Sequence, residues 1–214
     1  MSSLFTEELQ RIINSFIIVI ILFTISYIIT SIIFPSTEKK ITKFERFVFI
    51  WLIWDALIHL ILEGSFVILS LISTVEESKG ILAELWQEYG KADSRWLHSD
   101  PTILSVEIPT FIFCGPLSLY IIYLIIINHS TRHYWQMILC TCEIYGCWIT
   151  FCPEWITGNK GLDTENLMYF WIYLLFFNGI WVIVPMILMY QSWKVITEND
   201  RLVKEFKLKG QKID

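Results

Sequence analysis

Three ionisable side chains, Asp55, His59 and Glu63, interrupt a long apolar stretch at intervals of four residues. At about 100° per residue, each step of four advances about 40°, so all three would lie within one ~80° sector of an α-helix. A charged group near the centre of a bilayer costs roughly 2.5–3.5 kcal/mol. These side chains should therefore face other helices rather than lipid. A histidine beside buried carboxyl groups is suited to moving protons near neutral pH.

Depth along the apolar stretch separates the three groups. Asp55 lies nearest the start of the stretch, so we expect it at the cavity mouth, within reach of the headgroups. His59 and Glu63 lie deeper. Intramembrane ionisable groups are functional by default, which makes the His59 and Glu63 pair the first candidate for chemistry.

Polar partners occur at similar depth in the other apolar stretches. They are Glu107, followed by Pro109 and Pro116; the series Gln136, Cys140, Glu143 and Cys147, spaced four, three and four; and Asn178 with Trp181. We expect Glu63, Glu107, Glu143 and Asn178 to converge on one cavity, and the stretch CGPLSL to mark a distorted helix. Structural roles stay open: Asn178 as a helix–helix hydrogen bond, Glu143 paired with Gln136 or Tyr145, and Trp181 in packing.

Five apolar runs must position these groups, and each is about 19 residues or longer, enough to cross a hydrocarbon core of roughly 30 Å. They are Ile12–Phe34, Phe47–Ser73, Thr102–Ile127, Tyr134–Cys152 and Leu167–Tyr190. The fourth is the weakest, because it holds Gln136 and Glu143. The first lacks the basic start of a signal peptide and is expected to remain as a span. Charged residues make up 17% of the chain, against about a quarter in soluble domains. We predict an all-α integral membrane protein, a five-helix transmembrane bundle.

The loops differ in their content of Lys and Arg. With five spans, the first loop, the third loop and the C-terminal tail share one side and hold eleven of these residues, and the other side holds five. The positive-inside rule then places the C-terminus in the cytoplasm. The net charge of −5 and the lack of a dense basic cluster indicate no nucleic-acid partner.

The five cysteines all fall within or at the edge of the apolar runs. An odd number at membrane depth argues against a disulfide framework. The stretch CTCEIYGCWITFC matches no common zinc spacing, and cysteine is an ordinary small residue in helix packing. We therefore expect no metal and no cofactor.

The longest piece between runs, Thr74–Asp100, contains ILAELWQEYGKADSRW. Ile81, Leu82, Leu85, Trp86 and Tyr89 recur at helical intervals, which predicts an amphipathic helix at the membrane surface. It could be a packed loop helix or a lid over a cavity, and the sequence does not decide between these.

Several ordered motifs resemble the emopamil-binding-protein family, the sterol Δ8–Δ7 isomerases of the endoplasmic reticulum. They are IHLILEGSF, ELWQEYGKADSRW, VEIP with GPLSL, EIYG and YFWIYLLFFNGIWVIVP, and together they run from about Phe47 to Trp193. The resemblance implies a five-helix membrane bundle with a lateral, sterol-sized cavity that takes a sterol or an amphipathic amine. It implies three parts: residues 1–42 with the first span and loop, 43–193 as the family (EXPERA) domain, and 194–214 as a charged cytosolic tail.

By motif, the resemblance assigns catalysis to His59, Glu63 and Glu107. It assigns substrate binding to Asn178, Trp181, Trp96 and Glu143, with no metal and no cofactor. It implies residence in the endoplasmic reticulum membrane, and it leaves a homodimer open. His59 with Glu63 would handle the proton, Glu107 would act as partner or relay, and the ring of Trp181 would stabilise a carbocation.

Some positions depart from the isomerase branch. That branch tends to carry QIYGD where this chain has EIYGC, Glu143–Cys147, and it has a tyrosine at the position of Trp96. EYGKAD, DPTILSVEI and CEIYGCW are closer to the emopamil-binding-protein-like paralogues. Isomerase activity and non-catalytic binding of sterols or cationic amphiphiles therefore both stay open. A proton-coupled carrier is a third option, disfavoured because no inverted repeat is evident.

Overall fold

The computed structural model describes residues 2–33 and 42–210, and every regular element in these ranges is helical. The described residues do not include Lys39, Lys40 and Lys212, three of the eleven Lys and Arg residues on the predicted cytoplasmic side. The α-helices are α1 (Ser2–Ile33), α2 (Lys43–Leu57), α3 (Gly64–Ile72), α4 (Ile81–Tyr89), α5 (Pro101–Pro109), α6 (Gly115–Ile126), α7 (Arg132–Thr157) and α8 (Phe177–Gly210). Three π-helical segments join some of them: π1 (Ile58–Glu63), π2 (Thr110–Cys114) and π3 (Tyr169–Phe176).

Four helical stretches of the described chain are long and apolar enough to cross a membrane. They are Glu8–Ile33, Lys43–Ile72, Pro101–Ile126 and Tyr169–Lys209. They correspond to the first, second, third and fifth apolar runs of the sequence. The fourth run lies in α7, which has 26 residues but is not among these four. The described chain is therefore an all-helical protein with four candidate membrane spans.

The core lies where these helices meet. α7 packs along α8 and against α6, and α2 packs against α1 and α6. Phe49, Leu52, Ile121 and Leu139 of these helices are almost completely buried. Large apolar side chains also point outward along the spans, as lipid-facing positions require.

Polar groups define the helix ends and one helix–helix contact. Thr42 and Glu45 form a reciprocal capping box at the start of α2, and the Asp100 carboxylate accepts from the backbone N–H of Thr102 at 2.8 Å at the start of α5. These contacts satisfy N–H groups that have no partner within the helix. Gln136, on the predicted polar stripe, joins α7 to α8 by donating from Nε2 to the Leu188 carbonyl at 3.1 Å.

Two glycines let the second and third spans approach closely at their π segments. Gly64 follows π1, and a Cβ there would lie 2.7 Å from the ring of Phe111. Gly115 follows π2, and a Cβ there would lie 2.8 Å from Leu60. Contacts this short exclude a side chain, so the glycines place π1 against π2. The irregularity expected near CGPLSL is the wide turn π2, which begins directly after Pro109.

The segment between the second and third spans is fixed to α7 through one arginine. Arg95 donates from Nη2 to Asp93 Oδ2 at 2.7 Å and from Nη1 to the Thr150 carbonyl at 2.8 Å. Burial raises the pKa of the Asp93 carboxyl, and its hydrogen bonds to Arg95 oppose that rise. Within this segment α4 buries Leu85 and Trp86 of the predicted apolar face, whereas Ile81, assigned to the same face, is exposed.

Candidate active site

A cavity of about 170 Å³ lies inside the bundle, more than ten times the roughly 10–15 Å³ that admits one water molecule. α1, π1, α4, α5, α7, π3 and α8 all contribute to its walls. Its ionisable and hydrogen-bonding side chains include His59, Glu63, Glu88, Tyr89, Glu107, Glu143 and Asn178. Most other lining residues are apolar or aromatic. A mostly apolar cavity with a few polar side chains directed into it is the usual form of a small-molecule site.

His59 lies between two carboxylates of its own helical stretch. Its Nδ1 contacts Glu63 Oε2 at hydrogen-bond distance or closer, and its Nε2 lies 3.1 Å from Asp55 Oδ1. The first contact meets hydrogen-bond geometry, whereas the second is an ion-pair distance without hydrogen-bond alignment. His59 is only 3% exposed. π1 spans His59 and Glu63, and wide turns of this kind often occur at functional sites.

Glu107 extends the cluster from α5. It is buried, and its Oε2 accepts a hydrogen bond from the Thr110 hydroxyl at 3.1 Å. Glu63 and Glu107 both line the cavity. The cavity therefore has three ionisable groups, His59, Glu63 and Glu107, of the types that serve as general acids and bases.

Indole rings form the wall beside His59. The Trp181 ring lies 5.3 Å from the His59 ring and stacks on Trp54 at 5.6 Å with an interplanar angle of 1°. Trp51 contacts both of these indoles. An indole face attracts positive charge. The sequence singled out Trp181, but nothing in the spacing indicated that Trp54 would stack on it.

Trp96 and α4 close another side of the cavity. Trp96 stacks on Trp86 at 4.6 Å, and the Trp86 indole N–H donates to the Leu62 carbonyl at 3.0 Å. This bond holds α4 directly against π1. Because Trp86, Tyr89 and Trp96 all line the cavity, the amphipathic segment is a cover over the cavity rather than a loop helix packed elsewhere.

Asn178 of α8 is hydrogen-bonded to Tyr89 at the end of α4. Its Nδ2 donates to the Tyr89 hydroxyl oxygen at 3.0 Å and to the carbonyls of Tyr173 and Leu174 at 3.0 and 2.9 Å. Burial raises the pKa of the Tyr89 phenol, so Tyr89 stays neutral and keeps its hydroxyl proton. Asn178 thus positions a neutral phenol at the cavity.

Asp55 is not at the membrane surface, and the expectation that it would reach the headgroups is wrong. It is 0% exposed, its Oδ2 accepts a hydrogen bond from Ser118, and it does not line the cavity. The apolar run begins at Phe47, but the helical stretch begins one turn earlier at Lys43, so Asp55 lies deeper than its place in the run indicates. Asp55 is therefore about 18 Å along a stretch of about 45 Å, at 1.5 Å per residue.

Glu143 joins this buried group from α7. It is 5% exposed, and atoms of Asp55, His59 and Glu143 that could bind a metal all lie within 4.8 Å of one another. Cys147, one turn further along α7, places its Sγ 3.8 Å from the Asn178 carbonyl. The polar stripe predicted on this helix thus faces the other helices.

Comparison with known proteins gives consistent matches. The model of the EXPERA family (EXPanded EBP superfamily) matches residues 81–192. The chain is 32% identical over 171 residues to a probable 3-beta-hydroxysteroid-Delta(8),Delta(7)-isomerase of Arabidopsis thaliana, covering 80% of this chain and 75% of the relative. It is 29% identical over 204 residues to the 3-beta-hydroxysteroid-Delta(8),Delta(7)-isomerase of Cavia porcellus, covering 92% and 88%. It is also 30% identical over 160 residues to an isomeliandiol synthase of Melia azedarach, covering 75% and 73%.

Proposed function

This chain belongs to the EXPERA family, the EXPanded EBP superfamily, and on that premise we propose that it is a membrane sterol Δ8–Δ7 isomerase. The observation that carries the proposal is the meeting of His59, Glu63 and Glu107 beside the Trp181 ring in one cavity. Two relatives that match 80% and 92% of this chain carry the name of this isomerase activity, one of them as a probable isomerase.

The reaction requires an acid and a base near one face of the sterol ring. Protonation at C9 of a Δ8-sterol leaves a tertiary cation at C8, and removal of a proton from C7 then forms the Δ7 double bond. The protein ends with as many protons as it began with. His59, Glu63 and Glu107 supply three groups that can exchange protons. His59 contacts Glu63 directly, and Glu107 lines the same cavity. Because the groups are coupled, we propose the three as a unit and do not separate acid from base.

The cation intermediate needs stabilisation in a site with little water. The face of an indole contributes about 2 kcal/mol or more to a desolvated cation, and Trp181 lies beside His59 for this purpose. Trp54 stacks on Trp181 and holds that ring in place. Trp96, Asn178 and Glu143 are proposed to contact the sterol, since all three line the cavity.

We propose that α7 is a fifth span, which would complete the family bundle. Its 26 residues give a helix of about 39 Å, longer than the roughly 30 Å hydrocarbon core. Its polar side chains Gln136 and Glu143 are buried against other helices rather than turned to lipid. The cavity would open sideways into the bilayer, residues 43–193 would form the EXPERA domain, and 1–42 and 194–214 would flank it. We propose the endoplasmic reticulum membrane as its location and the cytoplasm for its C-terminus.

The orientation is tested by engineered glycosylation acceptors. An Asn-X-Ser site inserted at Lys79, before α4, is expected to be modified, because that side carries fewer Lys and Arg residues. A matched site inserted after Lys194 is expected to remain unmodified. Mobility shifts that vanish on deglycosidase treatment provide the measurement. Modification of the second site alone would contradict the proposed orientation.

The function is tested by sterol profiling in cells that lack Δ8–Δ7 isomerase activity. Expression of the full chain is expected to lower accumulated Δ8-sterols and restore Δ7-sterols. An unchanged Δ8-sterol pool, despite a membrane-inserted chain that binds a cationic amphiphile, would favour non-catalytic binding over catalysis.

A further inference from the structure

Four buried polar atoms meet beside the cavity without hydrogen-bond partners among the described residues. They are Asp55 Oδ1, His59 Nε2 and both carboxyl oxygens of Glu143. Their residues are at most 5% exposed. A buried charge without a partner is strongly unfavourable, and more so at membrane depth. A shared proton or a bound cation must therefore balance these groups.

The orientation of the side chains favours a cation bound by all three. His59 Nδ1 is occupied by Glu63, which turns the Nε2 atom toward Asp55 and Glu143. Asp55 Oδ2 accepts a hydrogen bond from Ser118, and Oδ1 lies 3.1 Å from His59 Nε2. Metal-binding histidines usually donate their other ring N–H to a carboxylate, and ligating carboxylates are themselves hydrogen-bonded. Glu63 and Ser118 occupy these two supporting positions.

The distances suit a small divalent ion. Zinc binds histidine nitrogen and carboxylate oxygen at about 2.0–2.2 Å with tetrahedral geometry, which separates neighbouring ligand atoms by about 3.3 Å. His59 Nε2 and Asp55 Oδ1 are 3.1 Å apart, and one possible ligand atom from each of Asp55, His59 and Glu143 lies within 4.8 Å of the other two.

We propose that Asp55, His59 and Glu143 bind one divalent transition-metal ion of the zinc class. One nitrogen and two carboxylate ligands suit zinc better than magnesium or calcium, which take six or more oxygen ligands. The ion would neutralise two carboxylates inside the bundle. His59 and Glu143 line the cavity, so the fourth position would face it. None of the five cysteines belongs to this group of described residues, although their spacing first raised the question of a metal.

The metal site goes beyond the proposed isomerase activity and does not replace it. The ion would occupy His59 Nε2 and leave the contact of Nδ1 with Glu63 intact. In a chain that carries the ion, His59 would position Glu63, and proton exchange would be left to Glu63 and Glu107. Glu63 and Glu107 lie outside the metal group. Measuring the metal requires no sterol, so its absence would not bear on isomerase activity.

The test is the zinc content of the purified full chain in detergent, loaded with excess Zn²⁺ and freed of unbound metal by gel filtration. Mass spectrometry of the metal is expected to give about one zinc per wild-type chain. Asp55→Asn and Glu143→Gln are each expected to lower this at least about tenfold. Glu107→Gln, a buried carboxyl of the same cavity outside the metal group, is the matched control and is expected to keep the zinc.

Two results would overturn the site. One is wild-type protein that, like the two variants, retains almost no zinc. The other is equal zinc in all four proteins, which would indicate binding elsewhere, for example at the cysteines. Should the variants fail to fold, wild-type protein loaded with Co²⁺ decides, because tetrahedral cobalt absorbs visible light far more strongly than octahedral cobalt. A wild-type spectrum without tetrahedral bands would also reject the site.

Discussion

Replacing His59 with alanine is expected to lower conversion of a Δ8-sterol to its Δ7 isomer by at least about 100-fold, since positioned acid–base groups contribute roughly 10²–10⁴-fold. The imidazole contacts Glu63 directly and lies between two carboxylates. Its loss removes a proton carrier and leaves Glu63 without its ring partner. The measurement is Δ7-sterol formed per minute by equal amounts of purified, membrane-inserted protein.

His133→Ala is the matched control for this experiment. His133 is a partly buried histidine of α7 that contacts Ser192 Oγ at 3.2 Å and lies outside the cavity. Its replacement is expected to leave conversion within about threefold of wild type. Equal conversion by wild type and His59→Ala would remove His59 from the chemistry, whereas equal losses in both variants would indicate a general effect on the fold.

Glu63→Gln and Glu107→Gln are each expected to weaken binding of an amphipathic amine at least about tenfold, equivalent to roughly 1.4 kcal/mol. An ammonium ion held in the cavity has the charge of the proposed sterol cation, and both carboxyl groups line the same wall. Glutamine keeps the size of glutamate, removes the carboxylate charge and replaces one acceptor oxygen with an NH2 donor. Displacement of a labelled amine from membranes measures the affinity.

Two controls isolate the charge effect. Glu84→Gln changes a carboxylate of α4 that does not line the cavity, and it is expected to bind the amine like wild type. A neutral ligand of the same skeleton is expected to lose less affinity than the amine in the Glu63 and Glu107 variants. Unchanged amine affinity in both cavity variants would exclude these carboxylates from the binding site.

The sequence indicated the polar groups of the site because ionisable side chains are costly, and therefore rare, within apolar runs of membrane-spanning length. Glu63, Glu107, Glu143 and Asn178 line one cavity, and their types and depths were enough to anticipate this. The cover formed by α4 could be recognised as an amphipathic helix, but its position over the cavity depends on the Trp86 contact with Leu62, a tertiary hydrogen bond.

Other features had no local signal. The π1 segment contains neither proline nor glycine, yet it places His59 against Glu63. Asp55 and Glu143 lie on helices far apart in the sequence, and only the packing of the bundle brings them together. Periodicity assumes an ideal helix and carries no information about such contacts. For this reason the depth of Asp55 was misjudged and the possible metal group could not be anticipated.

Isomerase activity is tested most directly by incubating a Δ8-sterol with the purified chain in deuterated water and analysing the products by mass spectrometry. Protonation from groups that exchange with solvent predicts a Δ7-sterol carrying one deuterium at C9. A preparation that binds an amphipathic amine but yields no Δ7-sterol would contradict the proposed isomerase function.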